Sequence, residues 1–385
     1  MPDRPADARS SFPALAGIAV IAAYSAFFLH AESQVEVLGL VALAGAGVAA
    51  LARLGWSERV RESLAEHPAG SRAATAVALA AILALFCREH FPMLMLASVL
   101  LYTVACLGLT VQFGYAGVVN FAGAAFFGIG AYTSAVLGAH LWHPLVVLAG
   151  GAMAALVGSL LILPVLRTRG HYAALVTVAF GLLFRTFIEV NDALGGPQGL
   201  QIKGMNLFGW DFNSAIRIGD TEISFYTNYA VLALGLAALA FAVVRRLERS
   251  WVGLNLDAVR LDETASAVFG IDAARWKILA FTLGNFIAGV AGSVYGMMNG
   301  FVAPNSFTFG DSLILVSILI LGGLGNPWGV ALAAGIVVVL PEKLQALQEY
   351  RLLFYAVLVI AILLFRPDGL LPRRAREYLP GWKPR

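Results

Sequence analysis

The sequence predicts an all-α protein that crosses a membrane many times, and two observations carry that reading. Of 385 residues, 59% are hydrophobic and only 13% are charged, where a soluble domain usually carries about 25% charged residues. The apolar residues also gather into long runs, and a helix needs roughly 20 of them to cross a hydrocarbon core. Backbone groups in that core must be paired internally, so the runs read as helices, and the short alternating segments of a barrel are missing. The 40 glycines fit the same class, because small residues let membrane helices approach closely.

Taken in order, the runs are 12–29, 35–52, 73–87, 92–112, 116–138, 144–166, 172–190, 223–244, 277–299, 310–325, 328–345 and 351–365. Allowing for broken or re-entrant segments, they predict about ten to twelve crossings. The first run follows Arg4 and Arg9 and lacks a small-residue cleavage site before a soluble domain, so it reads as a span.

Charge sets the orientation. Arg53, Arg59, Arg61 and Arg72 share one connection, Arg167 and Arg169 a second, and Arg245, Arg246, Arg249 and Arg260 a third. Arg366, Arg373, Arg374 and Arg376 lie in the tail. With both termini cytoplasmic, all four clusters fall inside, as the positive-inside rule requires. The other ends carry His30, Glu32 and Glu36, then His140 and His143. They also carry the connection from Asn191 to Glu222, where Gly195, Gly196, Pro197 and Gly199 read as turns. That connection is either a solvated link or a surface that receives an external partner. Residues 1–72 read as helices peripheral to a core of 73–372, and 373–385 as a cytoplasmic tail.

No enzyme constellation is present. The six histidines are scattered, and there is no HExxH, GxSxG or P-loop pattern. Cys87 and Cys106 have no metal or redox spacing. The expectation is therefore no catalytic residue, metal or cofactor in this chain. Scattered basic residues at a net charge of +3 give no nucleic-acid footprint.

Two glycine-rich stretches stand out. One runs from Gly114 to Ala131 and holds Gly117, Asn120 and Gly123; the other runs from Gly322 to Gly335 and holds Gly325 and Asn326. Each opens with glycines three apart and has an asparagine close behind, which hints at two related halves. The glycines either allow close packing or break a helix where a translocation path needs freed backbone groups. Asn120 then lines the path or ties the broken ends. Asn285 is expected to bond across helices. Arg185 and Glu189 are four apart on one helix face, and read as an interfacial pair or, more sharply, as a gate latch.

The polar interruption from Arg245 to Lys277 organises the chain. Asp262 and Glu263 are start signals and Gly270 a stop signal, which predicts a short helix over Asp257–Phe269. Its alanines, Ala265 and Ala267, suit a seat in a partner's groove, with charged residues such as Arg260 at the rim. A lipid-surface helix and a plain loop are the competing readings.

At these residues the chain becomes recognisable. AVRLDETASAVFGI, Ala258 to Ile271, followed by Lys277, resembles the cytoplasmic signature of the permease subunits of branched-chain amino acid ABC importers. The likeness extends to GYAG…FFGIGAY at Gly114–Tyr132, GGLGNPWG at Gly322–Gly329 and FRPDGLLP at Phe365–Pro372, and covers roughly 92–372. Trp328 and the segment around Lys277 resemble the LivM type, while NFAG at Asn120–Gly123 is nearer the LivH type. Gly284–Asn285 stands where the family often has Ser-Ala.

The resemblance implies an ATP-driven importer in a bacterial inner membrane. A LivH-like second permease is implied as partner in the bilayer, with two ATPase subunits that carry ATP and Mg, and a periplasmic binding protein. It implies that Glu263, Ala265 and Gly270 transmit force. Within the resemblance, urea or short amides are alternative substrates. A proton-coupled secondary transporter is the alternative of another class, and would want carboxylates buried mid-span.

Overall fold

The computed structural model describes residues 12–31 and 68–344, apart from 168–170, 215, 219 and 220, with scattered positions in 33–63 and 350–373. Most of the expected spans 35–52 and 351–365 lies outside the described residues, as do Glu32, Arg53, Arg59, Arg61, Arg169, Arg366, Arg374 and Arg376.

Among the described residues the apolar runs are mainly helical. In order come α1 (Phe12–His30), α2 (Pro68–Phe86), α3 (His90–Thr110), α4 (Gly123–Leu137), α5 (His143–Arg167), α6 (His171–Val190) and α7 (Tyr226–Arg249). Two short helices follow, α8 (Trp251–Leu261) and α9 (Glu263–Val268), then α10 (Ala273–Asn299), α11 (Phe309–Gly322) and α12 (Pro327–Lys343). Among the described residues, six helical stretches are long and apolar enough to cross a membrane. Shorter apolar helices at Leu15–His30, Ala73–Phe86 and Gly123–Leu137 accompany them. The protein is an all-α polytopic membrane protein.

Local sequence explains where the helices begin. Asp272 caps α10 by accepting from the Arg275 N–H at 3.2 Å. Thr308 and Asp311 form a reciprocal capping box on α11, with Asp311 Oδ2 accepting from the Thr308 N–H at 2.9 Å. This satisfies amides that the start of a helix otherwise leaves open.

α10 is the central post, with α3, α4 and α5 packed on it. Close approach makes glycine necessary at its contacts. A Cβ on Gly292 would meet the Phe127 backbone carbonyl carbon at 2.7 Å, and one on Gly289 would meet Gly150 O at 2.6 Å. Where two backbones nearly touch, dispersion and a polar bond replace the hydrophobic effect that lipid cannot supply. Ser293 on α10 provides such a bond, donating to Gly130 O at 2.9 Å.

The two ends of α10 differ. At its far end, past Gly300 (φ +69°), β6 (Phe301–Val302) pairs antiparallel with β1 (Leu200–Gln201). Two further small hairpins complete this end, β2 (Asn206–Leu207) with β3 (Trp210–Asp211) and β4 (Ile216–Ile218) with β5 (Thr221–Ile223). The connection after Asn191 does turn at Gly195 and Gly199, with φ +82° and +73°. At the near end of α10 lie α8, α9 and the break after α3.

Candidate functional site

α3 does not end as a normal helix. Residues Val111–Tyr115 form a π-turn, and the chain then leaves helical geometry until α4 begins at Gly123. The expected span 116–138 is thus corrected: its first seven positions are irregular or turn backbone, buried for the most part inside the bundle. Irregular backbone at membrane depth persists only where its polar groups find partners in protein or a water-filled cavity. Here the partners include side chains of two helices and of the segment itself. The Phe121 N–H donates to Thr177 Oγ1 of α6 at 3.1 Å, and the Ala124 N–H to Ser312 Oγ of α11 at 3.1 Å. The Ala122 N–H donates to Asn120 Oδ1 at 2.9 Å.

Asn120 also holds the break shut. Its Nδ2 donates to Gln112 Oε1 at 2.8 Å and to Asn285 Oδ1 at 3.2 Å, while Gln112 Nε2 donates to Asn285 Oδ1 at 2.8 Å and to Phe281 O at 3.1 Å. All three amides are fully buried. This triangle ties the π-turn after α3, the irregular segment and the middle of α10. Asn285 Nδ2 has no acceptor among the described residues and faces the glycine at 158 in α5. Sequence reading found Asn120 and Asn285 but passed over Gln112. The signal was available: an amide within an apolar run, eight positions before Asn120.

The glycines divide into two jobs. Gly123 serves packing, since a Cβ there would stand 3.1 Å from a Leu109 methyl and 3.2 Å from a Leu315 methyl. Gly117 serves the break, at φ +67° with Arg260 Cγ pressed against its α-face. Gly114 and Gly325, from the two glycine-rich stretches, meet directly: a Cβ on Gly114 would lie 2.6 Å from Gly325 Cα. Gly322 sits against the Gly329 backbone. The two asparagines play unlike roles. Asn326 is the N-cap of α12, accepting from the Trp328 N–H at 3.1 Å, and is no member of the amide triangle.

The polar segment is two helices, which corrects the single helix expected over Asp257–Phe269. α8 ends at Leu261, and α9 begins at Glu263. Asp262 between them is extended (φ −158°, ψ 110°), and its Oδ1 accepts from the Thr264 and Ala265 N–H groups at 2.8 and 2.9 Å. An aspartate bonding the backbone ahead of it favours a cap over a helix interior. The start signal was real, five positions after the place assigned to it. Gly270 (φ +78°) ends α9, with Ile271 N–H donating to Ser266 O and Gly270 N–H to Ala267 O. That is the left-handed glycine stop of a Schellman motif.

One side of this double helix is bound and the other is bare. Arg260, itself an exposed residue, donates to Gly114 O at the mouth of the break. Glu263 pairs with Lys277 at the start of α10. Ala265, Ala267 and Gly270 are exposed, and so are Leu261, Val268 and Phe269, at 79%, 81% and 84%. Three large apolar side chains that protrude from a polar segment form a patch of the kind that marks an interaction surface. Sequence reading assigned the docking to small and charged residues, and did not single out these three.

Arg373, beyond the last apolar run, completes the near end. Its guanidinium grips Asp257 of α8 with two bonds of 2.7 and 2.9 Å, lies 3.6 Å from Glu248 of α7 and 3.4 Å from Gly114 O, and covers the Tyr115 ring at 4.4 Å. Burial lowers the Arg373 pKa, but the hydrogen bonds and charge of Asp257 outweigh it and hold the group above its ordinary value. Arg373 is thereby balanced by Asp257 and Glu248, as a charge withdrawn from water must be.

The outer pair is weaker. Arg185 Nε lies 3.9 Å from Glu189 Oε2 with both side chains well exposed, and Arg185 Nη2 donates to Asn305 Oδ1 at 3.2 Å. Exposed pairs at this separation contribute about 0–1 kcal/mol, which fits an interfacial contact.

Fold and site together define a multi-pass membrane protein with an irregular, polar-lined helix break in its core and an exposed apolar platform directly beneath it. Residues 91–363 match the family described as branched-chain amino acid transport system / permease component, and the chain belongs to that family. It is 38% identical to the high-affinity branched-chain amino acid transport system permease protein LivM of Escherichia coli, across 71% of this chain and 68% of that one. It is 24% identical to the probable LivM of Methanocaldococcus jannaschii and 25% to the LivH of Salmonella typhimurium, in each case across 71% of this chain and 91% of the relative. The chain is thus of the LivM type. No solved structure matches it.

Proposed function

We propose that this chain is the LivM-type half of the membrane pathway of an ATP-driven importer for branched-chain or other hydrophobic amino acids, in a bacterial inner membrane. A LivH-like permease supplies the other half, a periplasmic binding protein delivers the amino acid, and two separate ATPase subunits bind ATP and Mg. The chain itself performs no chemistry. Residues 73–372 form the permease core and residues 1–72 a peripheral addition.

The observation that carries this reading is the two-sidedness of α8–α9. Leu261, Val268 and Phe269 stand exposed among the described residues, while Arg260 and Asp257 on the same segment reach the break at Gly114 directly or through Arg373. A partner that grips the outer side can move the inner side. Closure of the ATPases would then shift α8 against α3 and α7, loosen or re-form the amide triangle at Gln112, Asn120 and Asn285, and open the seam to alternate sides. The helix break provides the soft point such a movement needs, because freed backbone groups there are held by side chains that can exchange partners.

Phe269→Asp tests the reading in the reconstituted complex. It places a charge in the proposed apolar contact and touches nothing in the permease interior. The expected result is loss of ATPase co-purification and of substrate-stimulated hydrolysis, with the permease still present in the membrane. Full association and stimulation in this variant would overturn the docking role.

A further inference from the structure

We infer that Arg373 is a positioning residue that makes α8 and the broken end of α3 move as one body; the inference rests on the reading of α8–α9 as the ATPase-docking element. The tail is fastened before it reaches the site. Leu370 N–H donates to Leu321 O at 2.8 Å and Leu371 N–H to Gly322 O at 3.2 Å, so the tail backbone is bonded to the last turn of α11. From that anchor the stem of Arg373 passes over Gly325, where a Cβ would stand 2.7 Å from Arg373 Cδ. Its fork then closes on Asp257 with parallel bonds.

Three features make this a rigid link and not a surface ion pair. The side chains of Arg373 and Asp257 are only 14% and 13% exposed, so water screens them little. The bidentate geometry fixes angle as well as distance, which a lysine cannot do. The remaining faces of the guanidinium are occupied by the Tyr115 ring and the Gly114 carbonyl, both belonging to the π-turn. One planar group therefore touches the docking helix and the helix break, on a stretch of tail whose backbone is anchored on α11. Arg260 reaches Gly114 O from α8 itself. Gly114 O is thus the point where the docking helix and the tail converge on α3.

The test uses the complete complex, with second permease, ATPases and binding protein, in liposomes, and reads two rates: ATP hydrolysed and amino acid taken up. Arg373→Ala and Arg373→Lys are each expected to lower uptake per ATP by about fivefold or more, the lower range of coupling between sites, while the ATPases still co-purify. The exchange Arg373→Asp with Asp257→Arg restores part of that ratio. An unchanged ratio in Arg373→Ala overturns the inference, as does a proportional fall of both rates with reduced assembly, which marks a merely structural residue. Should Arg373→Ala fail to assemble, the isosteric Asp257→Asn is read in the same way. Failure of the docking reading is distinct: it appears as intact ATPase association in Phe269→Asp.

Discussion

Asn120 Nδ2 donates to Gln112 Oε1 at 2.8 Å, across a stretch of chain that leaves the helix and returns to it. Gln112 lies within the π-turn and Asn120 beyond it, and the two share Asn285 Oδ1 as a common acceptor. Asn120→Leu leaves Gln112 Oε1 and the Ala122 N–H without their present partners. Each buried polar group so orphaned costs about 1–3 kcal/mol. The expected outcome is a lower melting temperature of the detergent-solubilised complex and a severe loss of uptake. Gln112→Leu with Asn120→Leu together should cost less than the sum of the singles, and a strictly additive result would show that the amides do not act as a unit.

The close contact of Gly114 with Gly325 predicts a sharp size limit. Gly114→Val drives a side chain into the Gly325 backbone and should abolish folded permease in the membrane. Gly235 in α7 is the control, since a Cβ there meets nothing within 4 Å. Gly235→Ala should leave yield and uptake intact and improve helix stability by up to about 1 kcal/mol on the aqueous scale. Western quantitation of membrane fractions distinguishes the two.

Asp262→Ala removes the cap of α9. Caps of this kind contribute about 1 kcal/mol, so amide exchange at Thr264 and Ala265 should quicken by about fivefold. Substrate-stimulated hydrolysis should fall with it, because Leu261 and Phe269 lose their fixed relation. Unaltered exchange at both amides would mean the aspartate does not hold the α8–α9 corner.

Glu189→Gln probes the outer end. The pair with Arg185 is long and solvated, and Arg185 keeps its bond to Asn305. Uptake should therefore change by less than about threefold, within the range of an exposed ion pair. A loss of uptake with retained hydrolysis would restore the gate-latch reading.

How far the site could be read from the chain follows from its physics. Long apolar runs fix helices because lipid offers the backbone no alternative, so His143–Arg167 and Ala273–Asn299 fall within a few residues of expectation. The break at 116–122 was less legible, because its glycines also suit tight packing, and both uses occur, at Gly117 and at Gly123. Asp262 was seen as a start signal, but an acidic residue of this kind can open one helix or divide two, and the structure shows it dividing α8 from α9. Arg373 looked like one more inside charge in a basic tail. Its partner Asp257 is 116 positions distant, and pairings of that range leave no local pattern. Phe269 and Val268 were not singled out; only the fold shows that they stand exposed among the described residues.

The most direct measurement is site-specific cross-linking from position 269. Phe269→Cys, in a background where Cys87 and Cys106 are replaced, is assembled with both ATPases in inside-out vesicles and treated with a short bifunctional maleimide. The account predicts a covalent product with an ATPase subunit whose yield changes between nucleotide-free and ATP-bound states. Labelling of that cysteine by an impermeant reagent from the periplasmic side, with no ATPase product in either state, would contradict it.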